Sequence, residues 1–370
     1  MQKLLKNFPL ELGWIHILLI GLPLAIIGEQ LHWAPIIIFA SACIALIPLA
    51  GLIGESTEML AERTGPRIGG LLNATLGNAA ELIITIVALR EGLVELVKAS
   101  ITGSILGNIL LVLGASLLLG GLRNGKQKFD RSIAGQNSTM LLMALIALAI
   151  PTLFSPSIGP DTSQKVEALS IGVAICMILI YALGIVYAFR APVSETPLTR
   201  PSVEHGKKHL WSVPFSLGVM FVTVVGVVLL SELLVGTVEP ILEEFPFVTE
   251  FFLGIILIPI IGNVAEHLVA VQVAIKNQMD LSVEIAVGSS LQIALFVAPA
   301  LVFVGLLFNA WSGTPYLTLH FNQFELIAMM AGSVITALVS ADGETNWLEG
   351  AQLLVVYVIL GLAFFFLPGA

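Results

Sequence analysis

Long runs of apolar residues, each about as long as a bilayer is thick, constrain this chain more than any other feature. A helix needs about 20 apolar residues to cross the hydrocarbon layer. Charged residues make up 11% of the chain, against about 25% in soluble domains, too few to coat a surface that faces water. Eleven such runs lie near positions 13–29, 33–54, 68–90, 97–122, 137–154, 166–189, 210–236, 248–275, 284–308, 322–341 and 348–367. We therefore predict an all-α polytopic protein with eleven transmembrane helices in a lipid bilayer.

Several other classes of protein find no support in the sequence. The net charge of −9 gives no sign of nucleic-acid binding. Cys43 and Cys176 both sit in apolar runs, where they are predicted to be small buried hydrophobes. The first apolar run is followed at once by others, so no cleavable signal peptide is predicted. We find no His-Glu-x-x-His motif and no nucleophile beside a base, so neither an enzyme nor a bound cofactor is expected.

The distribution of Lys and Arg predicts the orientation. With the N-terminus in the cytoplasm, 13 of these residues fall on the inner side, and only Arg90, Lys98 and Lys165 fall on the outer side. One polar segment with three prolines, 190–209, reads as a linker on the inner side. The predicted divisions are an N-terminal transmembrane helix (1–32), a first five-helix unit (33–189), the cytoplasmic linker (190–209) and a second five-helix unit (210–370).

The two five-helix units share an internal repeat. Asn78 and Asn263 are 185 positions apart, and the same offset relates Glu81 to Glu266, Gly103-Ser104 to Gly288-Ser289 and Asn137 to Asn322. Five is an odd number of spans, so the second copy enters the membrane from the opposite side, as in the inverted repeats of secondary transporters. We therefore expect Glu81 and Glu266 to approach each other near the midplane. Gly-rich stretches such as GPRIGG and GNAAE are predicted to permit close packing and local unwinding there.

Two carboxylates in the middle of a membrane require neutralisation. A charge at the bilayer centre costs roughly 2.5–3.5 kcal/mol on insertion scales. One divalent cation or two protons would neutralise the pair, and proximity and desolvation let protons compete with the cation. The empty, doubly charged pair should be rarely populated. This predicts coupled exchange, in which the protein changes sides with cation or with protons.

The groups near the two carboxylates are oxygen ligands. They are the side chains of Asn78, Asn263, Ser104, Ser289, Asn108 and Gln292. Six to eight oxygens at flexible distances suit Ca2+, whereas Mg2+ keeps its waters, and Mn2+ remains open. His267 is adjacent to Glu266 but points about 100° away from it on a helix, so we expect it to lie beside the site, along the cation and proton path, rather than bind the ion.

Acidic residues flank the predicted membrane core on both sides. Glu55, Glu58 and Glu62 form a stripe at the inner end of the second span, and Glu239, Glu243 and Glu244 lie at the outer end of the seventh. Glu58 and Glu243 again differ by 185 positions. Acidic mouths would concentrate cations, so Glu55, Glu58, Glu239 and Glu243 are predicted to line the cation path, with solvated helix ends as the alternative.

The paired motifs resemble the α-repeats of the Ca2+/H+ exchangers of the cation/Ca2+ antiporter superfamily. The resemblance rests on GNAAELIITIVALREG, KASITGSILGNILLVLG, GNVAEHLVAVQVA, VGSSLQIALFVAP and DGETNWLEG. It implies one separate helix followed by five plus five, and export of cytosolic Ca2+ against inward proton movement. It also implies that Glu81 and Glu266 bind Ca2+ and exchange protons. Backbone oxygens around Gly77 and Gly262, with Asn78 and Asn263, would complete the site.

Two other transport functions stay open at this point. A Na+/Ca2+ exchanger of the same superfamily would share the architecture, and a passive cation channel is a further alternative. The membrane is expected to be the cytoplasmic one, with a thylakoid or vacuolar membrane as the alternative. The sequence leaves the oligomeric state open, a homo-oligomer included.

Overall fold

The structure is a computed structural model that describes residues 14–64, 69, 72, 75–160, 163–190 and 211–367. Nearly all of the predicted linker, 190–209, lies outside the described residues. So does most of the GPRIGG segment at 65–70, which means that its predicted unwinding stays a prediction.

The described chain is almost entirely helical. A 3-10 segment, Trp14–Ile20, leads into α1 (Gly21–Gln30). The remaining helices are α2 (Pro35–Thr64), α3 (Ala79–Arg90), α4 (Val94–Asn124), α5 (Arg131–Ile158), α6 (Gln164–Arg190), α7 (Val213–Glu244, with a turn at Thr237), α8 (Glu250–Ile275), α9 (Met279–Ser312), α10 (Gln323–Val339) and α11 (Trp347–Phe366). Two short strands, β1 (Gln127–Lys128) and β2 (Glu344–Thr345), pair antiparallel.

Eight of these helices are long and apolar enough to cross a membrane: α2, α4 to α9 and α11. They overlap eight of the eleven predicted spans. The apolar segments Ile15–Gln30 and Gln323–Val339 are shorter than a full span, and α3 covers only the second half of the predicted span 68–90. The chain is thus a multi-pass helical membrane protein, and the exact number of eleven spans stays a prediction.

Apolar side chains cover much of the outer surface, while polar groups lie inside. Phe221 on α7, Leu338 on α10 and Val355 on α11 are exposed, together with many other large hydrophobic side chains. A water-soluble protein does not carry apolar patches of this extent, but a bilayer accepts them. Buried polar residues include Asn78, Glu81 and Ser104, and they are most numerous on α4 and α9 among the described residues. The polar groups that could bind a substrate therefore lie in the interior of the helix bundle.

The contacts between helices come in pairs related by the offset of 185. Helix α3 packs on α7, and its counterpart α8 packs on α2. In the same way α10 packs on α4 and α5 packs on α9, while α2 and α7, which correspond to each other, form the most extensive contact. A two-fold relation between the units would produce these pairs. The direction in which each unit enters a membrane stays a prediction.

Helices α4 and α8 approach each other closely at Gly103. A methyl group added at Gly103 of α4 would lie 2.6 Å from the carbonyl carbon of Ile255 and 2.6 Å from Cγ of Pro259, both on α8. Such distances leave no room for any side chain, so the close crossing of α4 and α8 requires glycine at position 103. At Gly288, the counterpart of Gly103 in the second unit, an added methyl would meet no atom within 4 Å.

Three of the described helices contain a turn of π-helix. Two of these turns, Gly107–Val112 in α4 and Ile293–Val297 in α9, overlap when the offset of 185 is applied. The third, Leu253–Leu257, lies at the start of α8. Turns of π-helix occur frequently at functional sites because the extra residue redirects side chains and loosens the hydrogen-bond ladder.

The strands connect the start of α5 to the start of α11. Gln127 pairs with Thr345 and Lys128 with Glu344, and the Phe129 amide donates to the Gly343 carbonyl at 3.0 Å. Glu344 also forms ion pairs with Lys126 and Lys128, and these lysine hydrogen bonds lower the pKa of its carboxyl group. The pairing fixes the end of the bundle where the Lys-rich and Arg-rich connection between α4 and α5 lies.

Candidate cation site

Glu81 occupies the first turn of α3. Asn78, immediately before the helix, has a non-helical backbone conformation (φ −101°, ψ 26°), and Gly77 and Asn78 form a turn. The start of a helix carries a partial positive charge that favours a carboxylate in the first turn. Glu81 is only 3% exposed, so the helix end helps to offset its charge there.

Gly262 of the second unit lies directly against the Glu81 side chain. A methyl group added at Gly262 would be 3.1 Å from Cγ of Glu81 and 3.7 Å from its carboxyl carbon. Glu266 follows Gly262 by four residues on the same helix, and residues four apart share a helix face. The structure therefore brings the Glu81 carboxyl group to the face of α8 that carries Glu266.

Glu266 is held by a serine of the next helix. The Ser289 hydroxyl donates to Oε2 of Glu266 at 2.7 Å. Unlike Glu81, Glu266 is only partly buried, and Gly262 and Asn263 lie within continuous helix, Ile258–Ile275. The two glutamates thus occupy matching positions in sequence but different environments.

Two asparagines present unpaired oxygens inside the bundle. The Asn78 amide nitrogen donates to Oε1 of Gln292 at 2.8 Å, and the Asn263 nitrogen donates to Oγ of Ser104 at 3.3 Å and to the Pro259 carbonyl at 3.1 Å. Both asparagines are buried, and neither Oδ1 atom has a hydrogen-bond partner within the described ranges. Buried polar atoms are normally satisfied, so a matched pair of orphaned oxygens indicates that a further partner belongs there.

The remaining predicted ligands lie beside the two π-helical turns. Asn108 is buried within the first of these turns, and its amide nitrogen has no hydrogen-bond partner in the described part of the chain. Gln292 immediately precedes the second and is engaged by Asn78. Among the described residues, no three His, Cys, Asp or Glu side chains converge on one point. The oxygens that the described residues offer a cation here are thus largely neutral.

The residues predicted to line the cation path differ in burial. Glu55 and Glu58 on α2 are partly buried, whereas Glu239 and Glu243 at the end of α7 are exposed. His267 is partly buried, and its Nε2 atom has no hydrogen-bond partner among the residues that the structure describes. Partial burial of Glu55 and Glu58 favours a role beyond solvation, but the route of the ion stays a prediction.

Glu325 is a buried carboxylate that the sequence analysis did not identify. Glu325, near the start of α10, is 1% exposed and accepts a hydrogen bond from the Thr102 hydroxyl at 2.9 Å. The other carboxylate oxygen of Glu325, Oε2, accepts a hydrogen bond from the backbone N–H of Asn322 at 2.7 Å, which completes a capping box at the start of α10. The sequence contains a signal that could have identified this buried carboxylate, since Glu325 is the only charged residue in the apolar run 322–341. Thr102 is two residues before Ser104, so Glu325 lies close to the site without belonging to the predicted set.

Comparisons with known proteins agree on one family. The model of the sodium/calcium exchanger protein family matches residues 34–190 and 215–366. The chain is 44% identical over 366 residues to a Ca2+/H+ antiporter of Aphanothece halophytica, which covers 95% of this chain and 96% of that protein. It is 43% identical over 352 residues to the Ca2+/H+ antiporter ChaA of Bacillus subtilis (strain 168), with 94% and 97% covered. The structure of native YfkE superposes with a TM-score of 0.81 at 41% identity, over 95% of this chain and 100% of that one.

Proposed function

Because the chain belongs to the sodium/calcium exchanger protein family, we propose that it is a Ca2+/H+ antiporter that exports cytosolic Ca2+ in exchange for protons. The observation that carries this proposal is the meeting of Glu81 with the Gly262–Glu266 face of α8 inside a membrane-embedded bundle. The name shared by relatives that are 43–44% identical supports the same coupling. It performs transport, with Ca2+ and protons as its substrates.

Glu81 and Glu266 are the proposed charged ligands of the transported ion. The orphaned Oδ1 atoms of Asn78 and Asn263 point to two further oxygen ligands, and Ser289 orients Glu266. Ser104, Asn108, Gln292 and the backbone at Gly77 and Gly262 complete the proposed shell. Flexible oxygen ligands of this kind suit Ca2+ better than Mg2+, which demands a strict octahedron and retains water.

Exchange follows from the cost of leaving the site empty. Two close carboxylates without counter-charge are strongly unfavourable in a membrane interior. Ca2+ removes that cost by ligation, and protons remove it by neutralising the carboxylates. A conformational change that passes the pair through the membrane core is therefore cheapest when the site holds one or the other, and this condition couples the two fluxes.

Alternation between the two sides would use the repeat. We propose that 33–189 and 210–370 form inverted five-helix units, joined by the linker 190–209 and preceded by the helix in 1–32. The near-complete burial of Glu81 beside a partly exposed Glu266 supports a mechanism in which one glutamate is more accessible in each conformation. The cytoplasmic membrane, with the N-terminus in the cytoplasm, is the proposed location.

A Na+/Ca2+ exchanger is the second candidate, because the family model is named for that activity. The test is Ca2+ uptake into proteoliposomes that contain the purified chain. With Na+ absent, we expect an interior that is more acidic than the bath to drive uptake, and dissipation of the pH gradient to stop it. Uptake that ignores the pH gradient but follows an outward Na+ gradient would assign the coupling to Na+ instead. Uptake without either gradient would indicate a channel.

Ser289→Ala should weaken Ca2+ transport without abolishing it. The change removes the donor that lies 2.7 Å from Glu266, and a hydrogen bond to a charged group contributes about 1.5–3 kcal/mol. We expect the Ca2+ concentration for half-maximal uptake to rise roughly tenfold or more. Uptake measured over a range of Ca2+ concentrations at fixed pH would show the shift.

Ser290→Ala is the matched control for this variant. The Ser290 hydroxyl donates to the backbone carbonyls of Ile105 and Ala286 and has no role in the proposed ligand shell. Its loss should leave the half-maximal Ca2+ concentration near the wild-type value. An equal rise in both variants would mean that Ser289 acts only through packing of α9.

A further inference from the structure

A large groove lies between α5 and α6, and its lining residues are outside the proposed exchange site. Its volume is about 970 Å3, which is in the range of sites that bind small molecules. Met143, Leu183 and Tyr187 line the groove and are each about half exposed. On the outer surface of a membrane protein such side chains face hydrocarbon, so an occupant of the groove would come from the bilayer.

The wall that α5 contributes changes from polar to apolar along its length. It follows residues spaced four apart, which share one helix face, namely Arg131, Gly135, Thr139 and Met143. Twelve residues of helix cover about 18 Å. One leaflet of a bilayer contributes about 15 Å of hydrocarbon. A molecule with a polar head and an apolar tail about as long as one leaflet matches both properties of this wall.

Helix α6 repeats the same gradient on the opposite wall. Helices α5 and α6 pack together and are joined by the short connection 159–163, so they run antiparallel and the end of α6 lies beside the start of α5. Tyr187 therefore lines the groove at its polar end, and Ile180 lines it farther in. Tyrosine is typical of the boundary between hydrocarbon and headgroups, because its ring is apolar and its hydroxyl is polar.

Arg131 is the charged group at the polar end of the groove. It is exposed, and its guanidinium forms no ion pair or hydrogen bond within the described part of the chain. Lys126 and Lys128 differ from it, since both are paired with Glu344. The carboxylate of the adjacent Asp130 is engaged in capping α5. Arg131 is thus available to an anion, and the planar guanidinium suits phosphate, which it binds through two parallel hydrogen bonds.

We propose that this groove binds one anionic phospholipid, with its phosphate at Arg131 and an acyl chain running along α5 and α6 toward Met143. Ser132 and Gln136 line the same end and can donate hydrogen bonds to headgroup oxygens. A zwitterionic lipid carries its own ammonium group, which already offsets the phosphate charge, so the single arginine favours an anionic headgroup. Basic pockets between transmembrane helices bind such headgroups on the cytoplasmic side. The site does not depend on which ion drives transport.

Gly135 offers a way to close the groove without disturbing the helices. A methyl group added there would meet no atom of the described residues within 4 Å. Gly135→Leu should therefore fill the groove near its polar end, and Leu favours helix more than Gly does. We expect this variant to lose lipid binding while its melting temperature in lipid-free detergent equals or exceeds that of the wild type. Loss of binding together with retained stability cannot arise from misfolding.

The test is native mass spectrometry of the purified, delipidated full-length chain titrated with phosphatidylglycerol. We expect one phosphatidylglycerol per chain to bind about tenfold or more tightly than phosphatidylcholine. Arg131→Gln should weaken this binding by about tenfold or more, because it removes hydrogen bonds to a charged group. Arg123→Gln is the matched control, at an exposed arginine near the end of α4 that does not line the groove, and should leave binding unchanged.

Four outcomes would overturn the proposal. Equal weakening by Arg131→Gln and Arg123→Gln would mean that lipids only gather around a basic end of the bundle. Binding that survives both Arg131→Gln and Gly135→Leu would place the lipid elsewhere. Displacement of the lipid by glycerol 3-phosphate at equal concentration would make the site one for free phosphate. A lipid-free oligomer that Gly135→Leu dissociates would show that a second copy of the chain fills the groove.

Discussion

Glu81→Gln is expected to reduce proton-driven Ca2+ uptake by about 100-fold or more, and Glu266→Gln should do the same. Gln has nearly the shape of Glu but cannot carry the charge that a Ca2+ ion requires, nor can it exchange a proton. Breaking a buried pair of opposite charges, here Ca2+ and the Glu81 carboxylate, costs about 3–5 kcal/mol, which corresponds to at least two orders of magnitude in affinity. The measurement is the initial rate of uptake into proteoliposomes with an acidic interior.

The control for this pair is Glu29→Gln, which makes the same chemical change at an exposed position outside both proposed units. That variant should transport at the wild-type rate. Each glutamate variant must also elute from size-exclusion chromatography as the wild type does, so that loss of transport reports the site. Rates within a few-fold of wild type for Glu81→Gln would remove Glu81 from the centre of the mechanism.

Gly103→Ala is expected to cause the largest loss of stability among single-methyl substitutions at the crossing of α4 and α8. The new methyl would press on the backbone of Ile255 and on the ring of Pro259, neither of which is a flexible side-chain end. Overpacking of this kind costs typically about 1–3 kcal/mol, and more where backbone must shift. The melting temperature of the detergent-solubilised protein should therefore fall by about 3 °C or more.

Gly288→Ala is the matched comparison, because Gly288 is the counterpart of Gly103 and has open space around it. Its melting temperature should match that of the wild type or exceed it, since Ala favours helix over Gly by roughly 1 kcal/mol. Equal destabilisation by both substitutions would show that the close crossing at Gly103 contributes little to the loss.

The coarse fold was accessible from sequence because bilayer thickness sets the length of each helix. Eight of the eleven predicted spans correspond to helices that are long and apolar enough, whereas α1 and α10 are shorter than a full span and α3 covers only half of its run. The pairing of α3 with α7 and of α8 with α2 also follows from a repeat that was visible in the offset of 185. Periodicity and length determine these features, and both are properties of the sequence alone.

The details of the site were less accessible. No sequence pattern indicates that Asn78 would contact Gln292 while Asn263 contacts Ser104. These partners depend on how two helices rotate against each other, which is decided by packing over their whole length. The π-helical turns at Asn108 and after Gln292 could not be predicted from the sequence either. A single extra residue in a helical turn leaves the apolar pattern almost unchanged.

The difference between the two units has a geometric consequence. Residues around Asn78 break into a turn, while those around Asn263 remain helical, and Gly103 is crowded where Gly288 is not. If the units are equivalent, the opposite-facing conformation can be constructed by giving each unit the backbone that the other now has. In that exchanged arrangement the helix break moves to Asn263, Glu266 becomes the enclosed carboxylate and Gly288 becomes the crowded glycine. A single asymmetric conformation would then supply the backbone geometry of both the inward-facing and the outward-facing state.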